Sequence, residues 1–318
     1  MELIVAPEVP TSYARVREPQ QPPIRVGVVQ HQWDSDADAL QESLRDGIRQ
    51  AAEAGAQIVF LPELTLSRYP ADTLPTGTAS DIAESLDDGP TVTFARAAAR
   101  DFGVHVHASL YERNDAGDGL GLNTAILVSP TGELVGRTRK THIPVTAGYY
   151  EDKYFRPGPS DNAYPIVELA EPAVKLGLPT CWDEWFPEVA RSYALGGADL
   201  LAYPTAIGSE PDHPDFDTEP LWQATITGHA IANGLFIVVP NRFGSEGLIT
   251  FYGSSFIVDP YGRVLVQAPR DRAAVLVADL DLAQRGDWLD LFPFLATRRP
   301  DTYAGLAAPV QPQHRRDV

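Results

Sequence analysis

The amino-acid sequence predicts an α/β fold of one domain in which two mixed sheets face each other between outer helices, a four-layer α-β-β-α sandwich. Three observations predict it. Strand-like and helix-like segments alternate from Pro23 to about Leu282 without a Ser/Gly linker, a charge block or a compositional break. The same succession of strand, helix, strand, helix and hairpin occurs twice along the chain. Strands such as Ala56-Gln-Ile-Val-Phe-Leu61 are apolar almost throughout, as strands covered on both faces must be.

The elements follow in order. Residues 1–22 contain Pro7, Pro10, Pro19 and Pro22, with Pro23 next, which leaves an extended N-terminal arm with little regular structure and no apolar run of the signal-peptide kind. Ile24-Arg-Val-Gly-Val-Val29 alternates as a strand, and Leu40, Leu44, Ile48 and Ala51 recur at helical spacing between Asp36 and Ala54. A second such unit comprises the strand 57–61 and a helix 91–102 closed by Gly103. Residues 104–111 and 123–128 read as strands, and Ser129-Pro-Thr-Gly132 turns the chain back through 134–137. The second half repeats the pattern: strand 174–178, helix 188–195, strand 200–203, helix 221–232, strand 236–240, then a hairpin around Asp259-Pro-Tyr-Gly262. The strand 274–280 is expected to complete this second set. The domain is therefore expected over residues 23–304, with 305–318 as a Pro/Ala-rich C-terminal tail.

Composition narrows the function classes. The chain has 318 residues and a formal charge of −18, which repels nucleic acid and anionic lipid. No apolar run, Leu235 to Val239 among them, comes near the length of a membrane span. The single cysteine, Cys181, allows no intramolecular disulfide, and a reducing cytoplasmic setting is expected. Of the seven histidines only His105 and His107 are close along a strand, and with no third ligand in view they read as structural. No metal and no cofactor is expected.

Candidate chemistry gathers at strand ends, where α/β folds assemble sites. Glu63 follows Val59-Phe-Leu-Pro62, Lys140 follows Gly136-Arg-Thr-Arg139, and Cys181 follows Gly177-Leu-Pro-Thr180. A lone cysteine is ordinarily a small buried hydrophobe. Placed between a strand and a helix N-terminus, near a carboxylate that takes its proton and an ammonium that stabilises an oxyanion, it becomes a nucleophile for acyl transfer.

The wording of these segments carries more than their residue types. Phe60-Leu-Pro-Glu63-Leu, Arg139-Lys140-Thr-His142-Ile-Pro144 and Cys181-Trp-Asp-Glu-Trp-Phe-Pro-Glu188-Val-Ala-Arg191 resemble, in order and spacing, the nitrilase or carbon-nitrogen hydrolase superfamily, over about Ile24 to Ala304. The resemblance implies Glu63 as catalytic acid and base, Lys140 as oxyanion partner and Cys181 as nucleophile. It matches a second glutamate to Glu151, which would orient the lysine and substrate. His142 reads as a support for this site.

Within the superfamily, Tyr203-Pro-Thr-Ala-Ile-Gly-Ser-Glu210-Pro, 249–257 and Cys181-Trp-Asp-Glu-Trp185 are most similar to the N-carbamoylputrescine amidases. That implies hydrolysis of a ureido C–N bond to amine, carbon dioxide and ammonia, with Glu210 on the distal ammonium and Tyr149 and Trp182 as surfaces for the alkylammonium chain. Asp183, Glu184 and Glu210 are expected to repel a substrate carboxylate. Val145-Thr146-Ala147-Gly148-Tyr149 departs from the Asp-Gly-Pro-Gly-Tyr of that group, so an acid is lost near the mouth. The alternatives are an N-carbamoyl-β-alanine or aliphatic amide hydrolase, then a nitrilase, and from another class a catalytically silent binding module. The resemblance also implies a homodimer or larger homo-oligomer, formed through the helix 188–195 and the tail.

Overall fold

Apolar side chains along the strands point alternately to two different cores, and that alternation sorts the molecule into layers. The computed structural model describes residues 1–309. In chain order the strands are β1 (Glu2–Val5), β2 (Ile24–Gln30), β3 (Ile58–Phe60), β4 (His105–Glu112), β5 (Leu122–Val128), β6 (Leu134–Arg139), β7 (Ile166–Ala170), β8 (Ala173–Gly177), β9 (Leu200–Ala202), β10 (Phe236–Val239), β11 (Phe243–Glu246), β12 (Ile249–Tyr252), β13 (Phe256–Val258), β14 (Val264–Gln267) and β15 (Ala274–Leu280). The helices are α1 (Ala37–Glu53), α2 (Pro90–Phe102), α3 (Pro187–Gly196), α4 (Glu219–Asn233) and α5 (Ala283–Leu291). One sheet has the order β1-β15-β2-β3-β4-β5-β6, the other β14-β13-β10-β9-β8-β7, and β11 and β12 form a separate ribbon.

Val26, Val28, Ile58 and Phe60 of the first sheet meet Leu176, Leu200, Phe236 and Val238 of the second in a central core. The intervening Val29 and Val59 turn outward beneath α1 and α2, while Leu201, Ile237 and Val239 turn outward beneath α3 and α4. A period of two therefore places the inner strands of both sheets between two apolar layers. The result is the expected α-β-β-α sandwich.

Two features differ from the sequence expectation. The strand β15 belongs to the first sheet, antiparallel to β2 and parallel to β1, and not to the second set of strands. Its Leu276 faces the central core while Val275 and Val277 pack beneath the helices, so it covers an edge of β2 that would otherwise lie open. Adjacency in sequence to β14 pointed the other way. The N-terminal arm starts with a strand, β1, and then lies extended along the domain, where Arg15 pairs with Asp281 and Asp287 and Ser12 donates to Asp287.

Helix ends fall close to the expected positions. Asp36 caps α1 through its side chain, and Gly103 ends α2 in the left-handed region at φ 67°. Among the described residues no helix is long and apolar enough to cross a membrane. Of the expected tail, residues 310–318 lie outside the described residues.

The central core sets stability. Leu176 is fully buried between the sheets, so Leu176→Ala should lower unfolding free energy by about 2–5 kcal/mol, read from urea denaturation.

Candidate functional site

Three strands end at one edge of the sandwich and deliver the three motifs there. Glu63 lies beyond β3, Lys140 directly follows β6, and Cys181 follows β8 of the opposite sheet. All three are buried, as is Glu151. Lys140 Nζ donates to Glu63 Oε1 at 2.9 Å and to Glu151 Oε2 at 2.6 Å, so the ammonium is held between two carboxylates out of water. Asn123, the second residue of β5, donates from Nδ2 to the same Glu63 Oε1 at 2.7 Å. Glu63 Oε2 is buried and keeps no hydrogen-bond partner. One lobe of the carboxylate is thus fixed and the other is open to exchange a proton.

Cys181 opens a short 3₁₀ turn, Cys181–Trp185, with its own φ at +32°. A residue with a Cβ in that region stores roughly 1–3 kcal/mol of strain. Two interactions hold it there. Its N–H donates to Pro204 O at 3.0 Å, and the Asp183 carboxylate accepts from the N–H groups of Thr180, Thr141 and His142. Asp183 also meets His142 Nδ1 at 2.8 Å, and the His142 ring stacks on Phe186 at 3.7 Å. Asp183 therefore ties the segment after Lys140 to the turn that carries Cys181. The N–H of Trp182 is among the orphan donors that a helical N-terminus leaves open.

Burial pushes the Cys181 thiol well above its ordinary value, and the Glu63 charge adds to the rise. The resting nucleophile is a thiol. Burial likewise raises the Glu151 carboxyl to about 7, with Lys140 pulling it back and Glu63 pushing it further up. The Lys140 ammonium is held well above its ordinary range, since Glu151 and Glu63 outweigh the penalty of its burial.

The polar network extends to residues that sequence reasoning missed. Tyr69 donates to Glu151 Oε1 at 2.8 Å, and its N–H donates to Glu246. Arg242, fully buried, clamps both oxygens of Glu246 and donates to the backbone oxygens of Glu63 and Leu64. A polar residue near the start of an apolar strand, as in Asn123-Thr-Ala-Ile-Leu-Val128, was a readable signal. Nothing in the loop carrying Tyr69 was.

The substrate-side residues divide. Tyr149 OH donates to Ser209 O at 3.2 Å and accepts from Gly208 N at 3.1 Å, and burial with the Glu210 charge raises its phenol. Glu210 is half-buried on the same loop, and burial raises its carboxyl. A Cβ on Gly208 would come within 2.3 Å of Thr250 O, so only glycine lets this loop lie against β12. Trp182 is partly exposed and leans on Trp185 at 6.4 Å, with no contact to the buried carboxylates.

Two acids expected to face the substrate do not. Asp183 is consumed by the donors described above. Glu184 is fully buried, accepts from Trp222 Nε1 at 2.8 Å, and has its carboxyl pushed well above the usual range by burial, so it is turned inward and away from the substrate. The charge argument then rests on Glu210. His107 is buried against Phe60 and burial lowers it to about 3, which keeps it neutral within the core.

The raised Glu151 has a pH signature. A carboxyl whose folded value is raised from 4.5 to about 7 contributes stability that is fully present below 4.5 and lost as pH rises through 7. Glu151→Gln has no such group. The stability of the original protein relative to this variant should therefore fall between pH 5 and 7.5, measured by urea denaturation at both values.

The carbon-nitrogen hydrolase family matches residues 25–290. A citrullinase from Francisella tularensis is 37% identical over 286 residues, covering 88% of this chain and 96% of its own. An N-carbamoylputrescine amidase from Arabidopsis thaliana is 34% identical, covering 80% and 86%. Among solved structures, a carbon-nitrogen hydrolase from Helicobacter pylori superposes with a TM-score of 0.80 at 33% identity, covering 91% of this chain and 99% of its own. With the family matched across both sheets, this chain belongs to the carbon-nitrogen hydrolases of the nitrilase superfamily, enzymes that act on non-peptide C–N bonds.

Proposed function

We propose that the protein is a thiol amidohydrolase that cleaves the ureido C–N bond of an N-carbamoyl amine bearing a distal ammonium. The observation that carries the chemistry is the open lobe of Glu63 in the same buried site as a protonated Cys181, with Lys140 fixed on the other lobe. Glu63 takes the thiol proton as sulfur attacks the ureido carbon. Lys140 and the Trp182 N–H hold the oxyanion, in a buried site where their charge and dipole are little screened. Glu63 then protonates the departing nitrogen, ammonia leaves, and an S-linked thiocarbamate remains on Cys181. Water, losing a proton to Glu63, releases an N-alkylcarbamate that falls apart to amine and carbon dioxide, and Cys181 takes its proton back.

Substrate charge rests on Glu210. It is half-buried, forms no salt bridge among the described residues, and shares its loop with the carbonyl that Tyr149 binds. His213 lies near enough to draw the Glu210 carboxyl down against the rise from burial, and a substrate ammonium would be a second cation beside it. The names of the two relatives point to substrates of closely similar form. Citrulline and N-carbamoylputrescine share a ureido group on an alkyl chain ending in an ammonium, and differ by one carboxylate on the carbon that bears it. The assembly is proposed as a homodimer through α3 and α4, whose Leu195, Leu221 and Ile231 face outward.

Ammonia release should be greatest with N-carbamoylputrescine, less with N-carbamoyl-β-alanine and with a neutral aliphatic amide, and absent in Cys181→Ala. Glu63→Gln should lower kcat by about 10²–10⁴. Glu210→Gln should raise KM for the cationic substrate and leave that for the neutral amide in place. Preference for β-alanine or the amide would overturn the substrate reading while keeping the thiol mechanism, and no release from any compound would favour a silent module.

A further inference from the structure

Beyond the loop that carries Glu210 lies a cavity separate from the buried catalytic groups. It measures about 530 Å³ and is walled by Gly208 and Ser209, directly before Glu210, by the segment 214–218, by Tyr252 and by Arg270. That volume suits a small molecule. Cys181, Glu63 and Lys140 are not in its wall. It is linked to them through Tyr149, which is bonded to Gly208 and Ser209 and packs edge-on against Tyr69 at 6.0 Å, the donor to Glu151.

The cavity is equipped for a polar group. Tyr252 is only 6% exposed, and its hydroxyl lies toward that of Thr218, yet neither completes a hydrogen bond. One cation lines the wall, Arg270, with its guanidinium 5.6 Å over the Tyr252 ring. Asp217 occupies that cation by a two-pronged pair at 2.8 and 3.0 Å. Asp215 and Asp271 line the same wall, so three acids face one arginine whose charge is already engaged.

We propose that this cavity receives the distal end of the substrate, and that the Arg270–Asp217 pair is the determinant that excludes a carboxylate there. The inference rests on the ureido reading above and adds the basis of its selectivity. With Asp217 in place the wall offers no free cation, and a terminal ammonium is accepted while an ammonium with a neighbouring carboxylate is repelled. Asp217→Asn keeps the shape, removes one negative charge and frees the two nitrogens of Arg270, whose fork matches a carboxylate. The enzyme should then take ω-ureido-α-amino acids.

The test compares kcat/KM for N-carbamoylputrescine and citrulline in the original protein, Asp217→Asn, Arg270→Gln and the double variant. The same comparison is made for two plain amides that differ in the same way, 5-aminopentanamide and homoglutamine. In Asp217→Asn the ratio of citrulline to N-carbamoylputrescine should rise about fivefold or more, the scale of a partly exposed charge pair, chiefly through a lower KM for citrulline. Arg270→Gln should abolish that gain in the double variant. Asp217 is half-exposed, so the fold should persist, checked by thermal midpoint. Turnover of the amides without the ureido compounds would overturn the ureido reading alone, provided that the homoglutamine ratio still rises in Asp217→Asn. Ratios unchanged in both pairs, or a gain that survives loss of Arg270, would overturn the role assigned to this pair.

Discussion

An ammonium group held between two carboxylates in a buried cleft is the interaction on which this molecule turns. Lys140 reaches Glu63 and Glu151 at once, and none of the three has contact with bulk solvent. Taking a charge out of water costs several kcal/mol, recovered only when partners are close and every remaining lone pair is satisfied. The surroundings meet that condition nearly everywhere: Asn123 on Glu63, Tyr69 on Glu151, and Arg242 with Glu246 beneath both. Within this network two atoms find no partner among the described residues, Arg242 Nε and Glu63 Oε2, and an unsatisfied acceptor is what the proposed base needs before its proton arrives.

The two sheets enter catalysis through this arrangement. Glu63 and Lys140 come from the first sheet and Cys181 from the second, so the sandwich core sets their separation. Asp183 links the segments directly by gathering N–H groups from both. Its position next to the nucleophile is structural in effect: it pins a strained turn and spends its charge doing so.

The layers were legible because they depend on local pattern. Apolar period and turn chemistry revealed β2, α1, α2 and the hairpin β5–β6 within a few residues of their ends. The partnership of β15 was not legible, since the alternation in Ala274–Leu280 fits an inner or outer place in either sheet and only long-range pairing decides. The short strands β7, β11 and β12 and the helix α5 carry too weak a period to stand out. At the site, Glu63, Lys140 and Cys181 could be read because each closes a strand with a distinctive phrase. Arg242 could not, because its role is set by Glu246 and by backbone carbonyls 178 and 179 residues away along the chain. Glu184 misled for a related reason: an acid beside the nucleophile in sequence is buried against Trp222 and does not face the substrate.

The protonated state of Cys181 has a consequence for how the protein withstands oxidants. Peroxides and electrophiles react with thiolates, and a buried thiol whose ionisation is suppressed by neighbouring carboxylates offers them little. In the mechanism proposed above, its reactivity appears only when a bound carbonyl and Glu63 act together. The chain has no second cysteine to resolve a sulfenic acid by disulfide formation, so resistance to oxidative inactivation has to come from that suppression rather than from repair within the molecule.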